Sequence, residues 1–217
     1  MALIHQATLV PTKLELLAGW LPSRPWAGGA TSVRSVGAYR FDDPAGRVGI
    51  ESLLVQADAD APVLHVPLTY REAPVAGAEE HLIGTVEHSV LGTRWVYDGC
   101  ADPVWAAALA TAVLTGGTQV EELVDAGDGR LVARPPTATV VGSGTPGAPI
   151  ADQVAGINAV AAHDGDATTV VRAGGLELLV VRVVVAGGLD TRPLIGETLT
   201  GRWADGGPAV LAAVRPF

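Results

Sequence analysis

The chain has 217 residues, with 27 Gly, 15 Pro and 48% hydrophobic residues, which is enough apolar side chain for one large or two small domains and excludes general disorder. A net charge of −9 argues against nucleic acid, because only Lys13 is lysine and the thirteen arginines are spread singly from Arg24 to Arg215. With one lysine, Walker-type phosphate loops and Schiff-base chemistry are disfavoured together.

The start, Met1 to Val10, lacks a basic segment or cleavage site, so no secretory signal is expected. The longest apolar run, Leu176 to Ala186, is interrupted by Glu177 and Arg182 and is too short to span a membrane. A single Cys100 agrees with a reducing compartment, so a cytoplasmic location is expected.

From Pro11, the positions of Leu14, Leu17 and Leu21 predict a helix that Pro22 ends. Thr31–Phe41 and Val48–Ala57 read as a hairpin about the turn Asp42 to Gly46. Val63–Tyr70 is a third strand, His81–Leu91 a mixed segment and Thr93–Tyr97 another strand. Asp102 and Pro103 then supply an N-cap and first helical residue for Val104–Leu114, with Gly116 and Gly117 as the stop.

After Gly117 the composition turns to Val, Gly, Asp and Thr. Turns are expected at Asp128-Gly129, Asp164-Gly165, Gly174-Gly175 and Asp205-Gly206. They separate strands at 129–133, 138–141, 167–172, 176–186, 198–203 and 209–215, with a short helix at Ala151–Val160. The expected units are 1–117 and 118–217.

Chemical motifs are sparse. Gly142, Gly144 and Gly147 follow a strand in G-x-G-x-x-G spacing, but Pro146 and Pro149 delay any helix to Ala151, so a surface loop is expected over a dinucleotide site. His81 and His88 are seven residues apart, which is about 10 Å along a helix and opposite faces of a strand, so neither arrangement suits one metal ion. Ser89 lacks a nucleophile elbow, and Cys100 reads as a small buried hydrophobe. Of the five tryptophans most belong in the core; Trp26, between Pro25 and Gly28, is the best placed to be exposed for sugar stacking.

Longer stretches carry a resemblance: Thr8 to Pro22, Val36 to Glu51, and above all Val66 to Arg71 (VPLTYR), Gly77 to Gly92 (GAEEHLIGTVEHSVLG) and Arg94 to Gly99 (RWVYDG). Over roughly residues 1–117 the chain resembles the N-terminal cap domain of actinobacterial maltokinases and its stand-alone relatives, often labelled α-glucan branching proteins. The resemblance implies an α+β fold: a cystatin-like cap of curved antiparallel sheet with helices, followed by a β-rich lobe. His163 to Val171 with Leu176 to Val184 looks distantly like the first hairpin of the kinase nucleotide lobe, but Arg182 stands in the strand where that lobe has its lysine. The sequence reaches Phe217 without a catalytic loop, and no H-x-D or D-x-D segment follows the hairpin.

The implied role is a non-catalytic accessory or regulatory protein of maltose, trehalose or α-glucan metabolism. Its partner is expected to be a kinase or glucan-metabolising enzyme; the alternative is a sugar- or glucan-binding module. No cofactor, metal, membrane or nucleic acid is expected. Tyr70, Arg71, Glu79, Glu80 and His81, flanking the loop after the third strand, are the candidate binding residues. The alternative for that loop is a solvated turn in which Arg71 pairs with Glu79 or Glu80.

Overall fold

The computed structural model describes residues 2–4, 7–125, 130–185, 195–204 and 206–217. The architecture is mixed α+β and mostly β. A strongly curled antiparallel sheet contains β2 (Leu9–Val10), β3 (Arg34–Phe41), β4 (Gly49–Gln56), β5 (Val63–Arg71), β6 (Leu82–His88) and β7 (Gly92–Asp98), in the order β2-β6-β7-β5-β4-β3. Helix α1 (Lys13–Trp20) lies against one face. Its start is fixed by a capping box, in which Thr12 receives the Glu15 amide and the Glu15 carboxylate receives the Thr12 amide.

A three-stranded sheet joins β1 (Ala2–Ile4), β8 (Glu122–Asp125) and β9 (Leu131–Arg134), with β1 parallel to β8. A six-stranded antiparallel sheet follows the order β10-β15-β16-β13-β12-β11, formed by β10 (Ala138–Gly142), β11 (Val160–Asp164), β12 (Thr168–Ala173), β13 (Leu176–Val181), β15 (Glu197–Trp203) and β16 (Gly206–Pro216). Two further helices are α2 (Pro103–Leu114) and α3 (Ala151–Ala155).

The central strands of the curled sheet, β4 and β5, are buried along almost their whole length because both of their faces are covered. On one face Leu53, Val55, Val66 and Leu68 meet Leu17, Trp20 and Leu21 of the α1 region. On the other, Tyr39, Phe41, Ile50 and Leu54 pack with Trp105, Leu109 and Val113 of α2 and with Val171, Leu178, Leu199 and Leu211 of the six-stranded sheet. The core therefore crosses residue 117 without interruption. Helix α2, which carries no charged residue, is held between the two sheets.

The 176–186 segment is not one strand. It bends at Arg182, and β14 (Val183–Val184) leaves the six-stranded sheet to pair with Leu64 and Val63 of β5. Along one edge of β5, then, β14 covers the first residues and β7 covers Leu68 to Arg71. Pro67 sits in the gap between them. The His65 amide, two residues earlier, points toward this edge and donates to the Arg182 carbonyl at 2.9 Å, so the N–H that Pro67 lacks would have faced a position with no strand to receive it.

The expected helix after Pro149 is confined to Ala151–Ala155, where Gly156 caps it, and Val160 instead opens β11. Strands β8 and β11 were not expected. The turns at Asp164-Gly165 and Gly174-Gly175 join β11 to β12 and β12 to β13; Asp128, Gly129 and Asp205 lie outside the described residues. No described helix is long and apolar enough to cross a membrane.

Candidate functional site

The five candidate residues do not form one surface. Neighbouring strand residues project to opposite faces, which separates Tyr70 from Arg71. Tyr70 turns to the α1 face and donates its hydroxyl to Glu51 at 2.8 Å. Arg71 turns the other way and makes a bidentate pair with Asp102, both contacts 2.7 Å, while Asp102 caps α2 by accepting the Val104 amide. The expected alternative pairing of Arg71 with Glu79 or Glu80 is thus replaced by a stronger, planar fit to the helix cap. Glu79, Glu80 and His81 stay together as a short 3₁₀ turn; both glutamates are exposed, and His81 Nε2 lies 3.4 Å from Glu80.

Tyr70 belongs to a polar cluster that the sequence reading did not find. Glu51 receives Lys13 at 2.6 and 2.8 Å, Arg40 at 2.9 Å and the Tyr70 hydroxyl. Arg40 reaches on to Glu122 at 3.8 Å, and Glu122 pairs with Arg134, so alternating charges tie α1 and the curled sheet to the three-stranded sheet. Burial opposes ionisation of Glu51, but the charges of Arg40 and Lys13 and the hydrogen bonds from Lys13 and Tyr70 outweigh it and hold the carboxyl at about 2. The signal was present: Glu51 interrupts an apolar strand, and a buried carboxylate needs cations, of which the one lysine was the nearest on a helix.

A second network lies where β14 joins the curled sheet. Arg182 is 0% exposed; it donates to Thr169 at 2.7 Å and to Asp98, and its guanidinium lies 4.6 Å from the centre of the Trp26 ring. Trp26 is 3% exposed, in keeping with the expectation that most tryptophans belong to the core; the alternative of an exposed Trp26 is not realised, and its ring covers this buried cation. Beside it, His65 accepts the Tyr39 hydroxyl on Nε2 at 2.9 Å and donates from Nδ1 to the Val181 carbonyl at 3.1 Å. Burial and the nearby Arg182 charge push His65 down to about 3, which keeps it neutral. Burial pushes the Cys100 thiol up.

Residues 20–102 match the family model of the maltokinase N-terminal cap domain. The match begins at Trp20 and ends at Asp102, so it spans less than half of the chain and is narrower than the resemblance at residues 1–117. It takes in all five candidate residues, Glu51, Trp26 and Asp98, and it stops where α2 begins. No curated protein matches the chain.

Beyond the cap-like region, the glycine loop has a structural explanation. Gly144 donates its amide to the Val113 carbonyl at 2.9 Å and Gly142 to Gly117 at 2.8 Å, so the loop wraps the C-terminal end of α2. A side-chain carbon on Gly142 would lie 2.1 Å from the Ala112 carbonyl oxygen, and one on Gly144 equally close to that of Leu114. Phosphate is bound by helix N-termini, so a loop of this spacing against a helix C-terminus faces the wrong pole. His88 Nδ1 accepts the Val90 and Leu91 amides, which makes it part of its own turn. Among the described residues, no three His, Cys, Asp or Glu side chains are grouped so as to hold a metal ion.

A groove of about 530 Å³ runs along the outer side of α2. It is lined by Val104, Ala107, Ala108 and Thr111 of α2, by Val154 and Ile157 of the α3 region, and by residues 41–44 with Gly117, Thr118 and Val120. Arg71 and its partner Asp102 sit at the α2 N-terminus, at one end of this groove.

Proposed function

We propose that this protein is a non-catalytic accessory or regulatory component of maltose or α-glucan metabolism that acts by contacting a kinase or glucan-metabolising enzyme. The observation that carries the reading is the match of residues 20–102 to the maltokinase N-terminal cap domain. Two features support the non-catalytic part. Arg182, in the strand compared with the lysine-bearing strand of a kinase, is buried and bound to Asp98 and Thr169, away from any phosphate. Lys13, the one lysine, is committed to Glu51. A sugar-binding reading draws little support from the tryptophans, since Trp20, Trp26, Trp105 and Trp203 are buried and Trp95 is half-buried.

The test uses the full chain as bait in native lysate of its source, followed by identification of what is retained and a coupled assay with maltose, ATP and Mg²⁺. Retention of a maltose or glucan enzyme whose activity changes on addition of the pure chain is the expected result. Sugar phosphate formed by the pure chain alone, or retardation in a glycogen-containing native gel with no enzyme retained, overturns the reading.

A further inference from the structure

We propose that the outer edge of β11 pairs with β11 of a second copy of this chain, antiparallel about a two-fold axis at Ala162, so that the six-stranded sheets of two molecules become one. The inference is independent of the accessory reading.

The other sheet edges among the described residues are guarded. On β3, the Arg40 carbonyl receives the Val120 amide, and the Ala38 amide is taken by the Thr137 hydroxyl. On β10, the Gly142 amide goes to the Gly117 carbonyl and the Val140 amide to the Gln119 side chain. Strands β1 and β2 are three and two residues long, and β9 is flanked by Arg130 and by Pro135 and Pro136. Short strands, charges, prolines and covering loops are the usual protection of an edge. Strand β11 has five residues with no proline, no lysine and no register shift against β12.

The pairing phase shows which groups of β11 face outward. The Gly165 amide donates to the Thr168 carbonyl at 2.7 Å, and hydrogen-bonded and non-hydrogen-bonded pairs alternate from there. His163 and Ala161 therefore exchange bonds with Val170 and Arg172, while the amides and carbonyls of Val160, Ala162 and Asp164 point away from the sheet. Among the described residues, none of these outward groups has a main-chain partner. Donors and acceptors repeating every second residue are matched by an added strand and not by a helix.

The order of side chains in β11 selects its own copy. Centring the pair on Ala162 sets outward residue against outward residue: Ala162 faces Ala162, and Val160 faces Asp164 on either side of the axis. Between them, Ala161 faces His163. No charge is set against a like charge, and the alanines at the axis let the main chains close to ladder distance. The two Asp164 carboxylates fall four residues apart, about 13 Å, which is beyond the screening length in physiological salt. Each is also bound by Thr169 and faced by Arg24 at 3.9 Å. The net charge of −9 repels a second copy at long range, but Asp164 is the one acidic residue in β11. Val160 and Ala162, half-buried against the core, gain cover from the added strand.

Sedimentation equilibrium of the full chain up to millimolar concentration should show monomer and dimer, with the association weakened more than tenfold by Ala162→Pro. That substitution removes a central outward amide, at a place where an edge strand tolerates proline. Cysteines read the register. Cα atoms of a hydrogen-bonded pair stand about 5.5 Å apart, so Ala162→Cys should form a disulfide with its own copy under mild oxidation. Val160→Cys, on the same face but about 13 Å from its counterpart, should stay uncrosslinked on a non-reducing gel. The wild-type chain is the control, since Cys100 is buried. Should Ala162→Pro fail to fold, the two cysteine variants decide. A monomer at every concentration, a dimer that a folded Ala162→Pro chain retains in full, or equal crosslinking of the two cysteine variants overturns the proposal. A monomeric chain that retains an enzyme from lysate and loses it on Ala162→Pro also overturns it, and assigns the edge to a strand of that enzyme.

Discussion

Arg182, at the bend between β13 and β14, donates to Asp98 at the end of β7, a residue 84 positions earlier in the chain. The pair is almost wholly out of water, and it stands where the last strand of the curled sheet is contributed by the second half. Desolvating two charges is costly, and what offsets it here is the geometry: Thr169 takes a second guanidinium hydrogen and the Trp26 ring covers its face.

Removing one partner leaves the other charge buried. Asp98→Ala and Arg182→Met are each expected to destabilise the chain by about 3–5 kcal/mol in urea unfolding. The double variant should lose clearly less than the sum of the two. Strict additivity would show that the pair is not coupled.

Acid sensitivity should come in two windows. His65 is held neutral, with its folded value near 3 below the usual 6.5, so the unfolded chain takes up the proton first. Its contribution is complete above pH 6.5 and is lost as pH falls toward 3, amounting to on the order of 2 kcal/mol between pH 6.5 and 5. His65→Gln, which can still accept from Tyr39 and donate to Val181, should flatten stability against pH in that upper window. An unchanged slope would place the titration elsewhere.

Glu51 governs the lower window. Its folded value near 2 lies below the usual 4.5, so its stabilisation is present above pH 4.5 and is lost as pH falls through 2. The amount is on the order of 3 kcal/mol. Glu51→Gln should be less stable at pH 7 and show a smaller decline between pH 4.5 and 2, measured by urea midpoints across that range.

The glycines of the loop after β10 should be intolerant in a way that a free loop is not. Gly142→Ala and Gly144→Ala push a methyl group into α2 backbone carbonyls and are expected to cost several kcal/mol, of the order of the larger overpacking penalties, about 3 kcal/mol. Gly19→Ala in α1, where nothing lies within 4 Å, should instead stabilise by about 0.5–1 kcal/mol. Equal effects at the three sites in thermal unfolding would refute the close approach.

Cutting after Thr118 removes Val171, Leu178, Leu199 and Leu211 from the core and strips β14 from β5. The fragment should expose the inner side of α2 and bind a hydrophobic dye far more than the full chain. A monomeric fragment with cooperative melting would show that the first half folds by itself.

Much of the local structure was written in short-range signals. Thr12 with Glu15, and Asp102 with Pro103, set the starts of α1 and α2, and the Asp42–Gly46 turn set the β3–β4 hairpin, because caps and turns depend on residues a few positions apart. The resemblance to the maltokinase cap was likewise legible in contiguous stretches between Val66 and Gly99, within the residues 20–102 that match the family model. What the linear order did not reveal depends on partners far apart. Trp26 lies against the Arg182 guanidinium, Arg71 bonds Asp102 and not Glu79 or Glu80, and Tyr70 serves Glu51 on the opposite face. The glycine spacing from Gly142 looked like a ligand loop or a free surface loop until the C-terminal end of α2 was seen against it. In each case composition and spacing supplied the groups, and only the crossing of β14 into the curled sheet and the seating of α2 between two sheets decided which of them meet.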